Sequence, residues 1–293
     1  MRDEGFGMVG GDMKRLSVAL LILAALGAWP GVAAAGLGSG PIEAEVKSAY
    51  SHILIRRQGN MRSMNFVRDN GVEQIQSVLN LKQPYDMVTQ YSRLMFASYL
   101  FMPQQKQVLI VGLGGGAMIH FYEHYDKDLK VDVVEIDEKI VQLADKYFDV
   151  RTHGNTRIVT KDAFEYLKTN KTRYDVIYMD AFLKPSEETD ATGQPLRLKT
   201  IAFYKGLREQ LTPDGIVVIN LNIHEHTNND LAAIRSAYSQ TYSFKASTPN
   251  IIVVCTDEKT RATSAALHAK ALELDRRFKA TFSFQSVLRT MGR

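Results

Sequence analysis

The chain has 293 residues, of which 45% are hydrophobic and 23% charged, with a formal net charge of +4 at pH 7. This length and apolar content suit one large globular domain, or one domain with a small appendage. The slight basic excess, without basic runs interleaved with aromatic residues, argues against nucleic acid as a partner.

The start of the chain is typical of a secretory leader. From Met13 it has two basic residues, an apolar stretch and then the small residues of 33–35. We predict a signal peptide over residues 1–35 with cleavage after Ala35, export to the periplasm or the medium, and no stable membrane insertion afterwards. A retained membrane anchor is the alternative, although the apolar run is shorter than the ~20 residues that a spanning helix needs.

Residues 36–44 contain GLGSG and are expected to form a flexible linker to a small N-terminal domain over 45–82. In that domain SAYSHILIRR and SMNFVRD alternate like strands, which predicts β-hairpins. Their exposed strand edges could join two subunits into a homodimer. The stretch QYSRLMFASYLFM, residues 90–102, has the spacing of an amphipathic helix.

Residues 83–258 alternate strand-like and helix-like segments, which predicts an α/β domain with a mostly parallel sheet and helices on both faces. The strands are VLIVG, VDVVEID, TRIVTKD, YDVIYMD and GIVVINLN, and helices are expected near Ala117, Glu138, Ala163 and Thr200. TYSFKAS and IIVVC are joined only by TPN, so they form a C-terminal antiparallel hairpin. That hairpin favours a Rossmann-like sheet of the methyltransferase type. A helical tail follows over 259–293, and the lone Cys255 should be a buried strand residue.

The stretch VLIVGLGGG places glycines in a turn between the first of these strands and a helix. Glycine accepts positive φ and lets a ligand approach the backbone, while the first turn of a helix presents free N–H groups. The pattern also fits G-x-G-x-x-G/A, which predicts a nucleotide-like ligand. A tight turn without a ligand is the alternative. The candidate ligand-binding glycines are Gly112, Gly114, Gly115 and Gly116.

Acidic residues end the strands around this turn. Ligands of open α/β sheets bind at the carboxyl ends of strands, where Glu135, Asp137, Asp162 and Asp180 all fall. We expect Glu135 to accept hydrogen bonds from both ribose hydroxyls, Asp162 to accept from an adenine amino group, and Asp180 to face the reacting centre. Helix N-capping is the alternative for Asp137 and Asp162, because each precedes a helix.

The motifs VLIVGLGGG, VVEID, VTKDAFEYL and YDVIYMDAF, with RDNGVEQ before them and LTPDGIVVINL after, resemble the spermidine synthase-like family of aminopropyltransferases. The resemblance covers roughly residues 45 to 255 and is specific because the motifs recur in order. It implies a small N-terminal β-domain on a methyltransferase-type Rossmann-like domain, an S-adenosyl donor in its decarboxylated form, a polyamine acceptor and a dimer or tetramer.

The same resemblance assigns roles to individual residues. It implies that Asp180 is the base that faces the acceptor amine and that Tyr91 lies in the acceptor site, although the residues after it are Ser92 and Arg93 instead of the family's polar and acidic pair. It implies that the donor is bound by Gln74, the glycine turn, Glu135, Ile136, Asp162 and Ala163.

Two departures from the family concern charge. The family has an aspartate in the glycine turn where this chain has Gly115, and a second active-site aspartate where it has Leu183. An unpaired buried ammonium costs about 3–5 kcal/mol, so polyamine transfer is weakened as a prediction. Without the turn aspartate, nothing there repels the carboxylate of intact S-adenosylmethionine. We therefore expect alkyl transfer with methyl slightly ahead, with aminopropyl transfer or a non-catalytic nucleoside-binding protein as alternatives and the small-molecule acceptor, an amine among the candidates, unidentified.

Two further features leave alternatives open. The polar segment Leu183–Thr200 is either a lid over the acceptor or a disordered surface loop. His120 and His124, and His224 and His226, are spaced for metal ligands, but neither pair has a full set, so we expect surface histidines and no metal site. His224 is alternatively a residue of the acceptor pocket.

Overall fold

A computed structural model describes residues 38–292. The predicted leader over residues 1–35 lies outside the described part of the chain. Within that part, no helix combines the length and the apolar character needed to cross a membrane. The first sheet is antiparallel, with its strands adjacent in chain order: β1 (Ile42–Lys47), β2 (His52–Gln58), β3 (Met61–Val67) and β4 (Glu73–Asn80).

The predicted linker over 36–44 is wrong at its end, because β1 begins at Ile42. Ile42 pairs with Arg56 of β2, and the Arg57 N–H donates to the Pro41 carbonyl at 3.0 Å. Gly40 is packed so tightly that a Cβ there would lie 2.1 Å from the Arg57 carbonyl oxygen. The segment that precedes β1 is therefore fixed against β2 by backbone contacts that composition does not reveal.

The single helix expected over 90–102 is also wrong, since the structure has α1 (Gln90–Met95) and α2 (Ser98–Phe101). Between them the Phe96 N–H donates to Arg93 and the Ala97 N–H to Leu94, which are tighter i→i+3 bonds. Residues 94–100 are completely or almost completely buried. Packing of this apolar segment in the core outweighs the helical spacing that the sequence suggested.

The second sheet has seven strands in the order β10-β11-β9-β8-β5-β6-β7. The five strands from β5 to β9 pair in parallel, whereas β11 pairs antiparallel with both β9 and β10. This confirms the predicted α/β class with its C-terminal antiparallel hairpin. The strands are β5 (Gln107–Val111), β6 (Lys130–Glu135), β7 (Thr156–Thr160), β8 (Tyr174–Met179), β9 (Leu211–Asn222), β10 (Gln240–Lys245) and β11 (Asn250–Thr256).

Apolar layers cover both faces of this sheet. In β5, Val108 and Ile110 join one buried cluster while Leu109 and Val111 join the other, as the alternation of a strand requires. Cys255 is buried in the second layer as predicted. The covering helices are α3 (Ala117–Tyr125), α4 (Glu138–Phe148), α5 (Ala163–Thr169), α6 (Ile201–Arg208), α7 (Thr227–Ala237), α8 (Ser264–Phe278) and α9 (Phe284–Arg289).

The strand order places a topological switch beside β5. From β5 the chain proceeds to β6 and β7 on one side, and then returns to β8 and β9 on the other. Ligands of open α/β sheets bind at such a switch point, outside the carboxyl ends of the strands. The glycine turn after β5 and Asp180 after β8 both lie there.

Candidate active site

The glycine turn and the end of β8 are in direct backbone contact. Gly112 has φ +98°, and a Cβ there would lie 2.3 Å from the Asp180 carbonyl oxygen. The Asp180 N–H also donates to the Val111 carbonyl at 2.9 Å. Glycine at 112 is therefore required both by its backbone angle and by this approach. Positive φ recurs in the turn at Gly114 and Gly116.

Gly115 is glycine for a packing reason. A Cβ at 115 would lie 2.9 Å from ring atoms of Phe148 and 3.1 Å from the Ser77 Cβ. Its N–H donates to the Ser77 hydroxyl at 2.9 Å, so this amide is engaged with β4. The position where the family has an aspartate is thus filled by neighbouring side chains.

Glu135, at the end of β6, lies beneath the turn with only 5% of its surface exposed. Its carboxylate accepts from the N–H groups of Leu113 and Asp137, each at 2.9 Å. Burial raises the pKa of Glu135 to about 7, and the hydrogen bonds from Asp137, Leu113 and Ile136 oppose that rise. A carboxylate has about four lone-pair sites, so one that accepts these N–H groups can still accept a hydroxyl.

Asp137 and Asp162 both cap helices, which confirms the helix N-capping that the sequence offered as an alternative to ligand binding. Asp137 accepts from the Lys139 N–H at the start of α4, and Asp162 from the Glu165 N–H at the start of α5. The second oxygen of Asp162 pairs with Arg197, which comes from the polar segment after β8. Ala163 follows Asp162 and packs on the second apolar layer. The predicted adenine contact is not tested by this geometry.

Asp180 is partly buried at the end of β8 and accepts a hydrogen bond from the Asn220 side chain at 2.8 Å. Burial raises the pKa of the Asp180 carboxyl above its usual range, and the Asn220 bond opposes that rise. A carboxylate with a raised pKa is a better proton acceptor than an ordinary aspartate. The role of Asp180 as the base stays a prediction.

Tyr91 and Gln74 approach from the N-terminal part of the chain. The Tyr91 phenol donates to the Gln76 carbonyl at 2.7 Å, which fixes α1 to β4. Burial, together with the charge of Asp180, raises the pKa of the Tyr91 phenol. The Gln74 side chain accepts from Arg68 at 3.0 Å. Tyr91 thus lies within electrostatic reach of Asp180, while Gln74 is engaged with its own hairpin.

The segment Leu183–Thr200 is ordered. A short 3-10 helix, Leu196–Lys199, ends it, and Gly193 closes it by accepting from the Leu183 N–H at 2.8 Å. The Lys199 ammonium lies 2.6 Å from the carboxylates of both Asp190 and Asp230, within the segment and in α7 respectively. This buried ion cluster fastens the segment to the body of the sheet. The interpretation as a disordered loop is therefore wrong, and the lid role stays a prediction.

His224 completes the ion cluster. Its Nε2 lies 2.8 Å from Asp230 and 3.4 Å from Asp190, and its side chain is only 7% exposed. The expected surface location is thus wrong for His224, whereas His226 is 66% exposed. Asp190, His224 and Asp230 could each offer an atom to a metal ion, but the Lys199 ammonium already lies between the two carboxylates.

The first histidine pair has other partners. His120 contacts the Phe148 carbonyl at 2.7 Å, and the ring of His124 stacks on Tyr85 at 3.7 Å. Each contact uses the ring to join α3 to a neighbouring segment. The spacing of four residues that suggested ligands therefore reflects packing on one helix face.

Several residues of this region were missed by the sequence argument. Asn220 and Asn250 are buried beside Asp180, and Asn250 donates to Asn220 at 3.1 Å. The Gln194 side-chain amide donates to the Asn220 backbone carbonyl at 3.2 Å, while its side-chain oxygen is buried without a partner among the described residues. The signal for Asn220 was present, since asparagine in the apolar run IVVINLN must find a hydrogen-bond partner.

Together these groups can position a nucleoside-like ligand and accept a proton. The glycine turn with the buried Glu135 carboxylate lies on one side of the switch point, and a carboxylate with a raised pKa on the other. This chemistry fits a group transferase.

Comparisons with known proteins agree with this geometry. Residues 88–270 match the pattern of the spermine/spermidine synthase domain. A polyamine aminopropyltransferase from Vibrio vulnificus is 30% identical over 215 residues, covering 71% of this chain and 69% of the relative.

Two solved structures share the fold at low sequence identity. A probable spermidine synthase from Corynebacterium glutamicum superposes with a TM-score of 0.64 at 20% identity, covering 85% of this chain and 93% of that one. Human methyltransferase-like protein 13, in complex with SAH, gives 0.60 at 20% identity, covering 66% of this chain and 94% of that one. Since the domain match spans more than half of the sequence, the chain belongs to the spermine/spermidine synthase family and is a transferase.

Proposed function

We propose that this protein transfers an aminopropyl group from decarboxylated S-adenosylmethionine to a small amine, with Asp180 as the base. The observation that carries the proposal is the Asp180 carboxyl, whose pKa burial raises, in backbone contact with the glycine turn. The aminopropyltransferase relative supports the donor and the amine class of the acceptor.

In the proposed reaction the acceptor nitrogen forms a bond to the methylene carbon that is attached to sulfur. The carbon–sulfur bond breaks, its electron pair stays on sulfur, and neutral methylthioadenosine leaves. The new ammonium loses a proton to the Asp180 carboxylate, which later releases it to water. The protein's part is to align the amine, accept its proton and exclude water.

Methyl transfer from intact S-adenosylmethionine is the second candidate, and Gly115 favours it. With no carboxylate at 115, and Phe148 and Ser77 filling that space, nothing at this position pairs with the amino group of a decarboxylated donor. Leu183 likewise offers no charge to a second ammonium of a polyamine. The lack of charge at Leu183 argues for a short amine as the acceptor in aminopropyl transfer.

The donor is identified by binding and by product. Calorimetry on residues 36–293 with decarboxylated and intact S-adenosylmethionine gives the preference, and mass spectrometry of reactions with diamines and monoamines identifies the product. Methylthioadenosine and an aminopropylated amine are expected. S-adenosylhomocysteine with a methylated acceptor would instead establish the second candidate.

Replacement of Asp180 tests the base. Asp180→Asn should lower turnover by about 10²–10⁴-fold, because proton transfer is lost, and leave donor affinity within about threefold. The control is Asp175→Asn, at the opposite end of β8, where the carboxylate accepts from the N–H groups of Lys106 and Gln107. Full turnover by Asp180→Asn, or equal loss of turnover and donor affinity, would refute the assignment.

Export also belongs to the proposal. Its support is the leader pattern that ends at Ala35, which has the basic start, apolar stretch and small residues of a secretory signal. The N-terminal sequence of the mature protein would test it, with Gly36 expected as the first residue.

A further inference from the structure

Three asparagines lie together at the carboxyl end of β9 and the start of β11. Asn220 and Asn222 are two residues apart on β9 and so share a face, and Asn250 of β11 pairs in register with Asn222. Asn220 and Asn250 are only 2% and 8% exposed. Amides in such a place need hydrogen-bond partners, because an unpaired buried amide is costly.

The hydrogen bonds of these amides run in one direction, towards Asp180. Thr248 donates its hydroxyl to the Asn250 side-chain oxygen at 2.8 Å, so the Asn250 NH₂ faces β9. That NH₂ donates to the side-chain oxygen of Asn220 at 3.1 Å and to that of Asn222 at 2.6 Å. Because the Asn220 oxygen is thereby occupied, its NH₂ is directed at the Asp180 carboxylate, 2.8 Å away.

We propose that Asn250 is a positioning residue that acts through Asn220 to orient and stabilise the charged form of the Asp180 carboxylate. The proposal rests on Asp180 as the base of the proposed function. An amide that donates to a carboxylate favours its ionised form, and it also fixes the plane of the carboxylate. Without Asn250, the Asn220 amide can rotate and present its oxygen to Asp180.

A second titratable group, a buried tyrosine, lies in the electrostatic environment of this carboxylate. Tyr91 of α1 has a pKa raised by burial and by Asp180, so its phenol is neutral throughout the range in which Asp180 titrates. A change in the titration of Asp180 in an asparagine variant therefore reports the amide network. The remaining contacts of Asp180 with β5 and the glycine turn are backbone contacts.

Carboxyl carbon-13 NMR of aspartate-labelled protein measures the network without turnover. Loss of one signal in Asp180→Asn assigns the resonance, which is then titrated in Asn220→Ala, Asn250→Ala and the control Asn222→Ala. The control removes an amide of the same strand that also contacts Asn250 but not Asp180. We expect the pKa of Asp180 to rise in Asn220→Ala, to rise less in Asn250→Ala, and to be unchanged in the control Asn222→Ala.

The same order should hold in kinetics. On the acidic limb of the pH profile, where Asp180 is partly protonated, kcat/KM is expected to fall about tenfold in Asn220→Ala and about threefold in Asn250→Ala. At high pH, where Asp180 is fully ionised, both variants should regain the kcat/KM of the wild type. Thr248→Val, at an exposed position, should shift the limb in the same direction as Asn250→Ala. An unshifted Asp180 titration in Asn250→Ala, or in Thr248→Val should the first variant not fold, would overturn the proposal.

Failure of this inference is distinguishable from failure of the proposed function. If Asp180→Asn retains turnover while Asn250→Ala shifts the Asp180 titration, the network exists but Asp180 is not the base. If Asp180→Asn is inactive and no asparagine variant moves the titration, the base stands and the positioning role is wrong.

Discussion

Replacing Lys199 with methionine would remove the cation that lies between two buried carboxylates. The Lys199 ammonium is 2.6 Å from Asp190 and 2.6 Å from Asp230, and the three side chains are 6%, 6% and 14% exposed. Methionine keeps most of the length and apolar surface of the lysine side chain. The variant therefore isolates the charge.

The expected cost follows from this burial. Breaking a buried ion pair by removing one partner costs about 3–5 kcal/mol, because an uncompensated charge is left behind. For a chain of this size, 1 kcal/mol lowers Tm by about 2–4 °C, so a fall of about 6–20 °C is expected. Lys199→Met combined with Asp190→Asn should recover part of it, since one of the stranded charges is also removed.

Thermal melts followed by circular dichroism would measure the change. Lys184→Met is the matched control in the same segment, because Lys184 pairs with Asp69 at the surface, where the side chains are 39% and 81% exposed. Surface pairs contribute about 0–1 kcal/mol, so the control should melt close to the wild type. Equal Tm values for Lys199→Met and Lys184→Met would refute the view that this cluster fastens the segment.

Two further predictions concern the donor side. Burial raises the pKa of Glu135 from 4.5 to about 7, so this group lowers the free energy of unfolding as pH rises through that interval. Donor affinity should rise over the same interval, because the ribose hydroxyls need the ionised carboxylate as acceptor. Calorimetry from about pH 6 to about pH 8, roughly one unit on each side of this pKa, measures the donor affinity. Glu135→Gln should abolish its pH dependence. A pH dependence that persists in this variant would exclude Glu135 as its source. Gly115→Asp should lower Tm without improving affinity for the decarboxylated donor, because its Cβ would lie 2.9 Å from the Phe148 ring. Tighter binding of that donor by Gly115→Asp would show that the space can open.

Local patterns predicted the sheet and the rim of the site well. Alternation of apolar strands and helices, together with the short TPN link, was enough for the fold, because each feature depends on neighbouring residues. The positions of Glu135 and Asp180 followed from the rule that ligands lie at strand ends. The break between α1 and α2 did not follow, since it is decided by burial of residues 94–100 among distant elements.

Contacts between distant segments account for what the sequence could not predict. The ion cluster joins the segment Leu183–Thr200 to α7 and to the end of β9. Nothing in the spacing of Lys199, Asp190, Asp230 and His224 shows that they meet. The packing of Phe148 against Gly115 likewise joins α4 to the glycine turn. Such contacts depend on how distant helices and strands pack together. Local sequence patterns predict that these elements exist but not how they pack.

The contact between Gly112 and the Asp180 carbonyl limits how this enzyme can diversify. With a hypothetical Cβ only 2.3 Å from that oxygen, the turn cannot shift towards β8 without displacing the backbone of Asp180. The glycine turn and the Asp180 backbone are thus held at a fixed separation by the main chain. Under the proposed function, a new acceptor has to be accommodated by changes elsewhere around Asp180, so specificity can drift in evolution while the transfer distance stays constant.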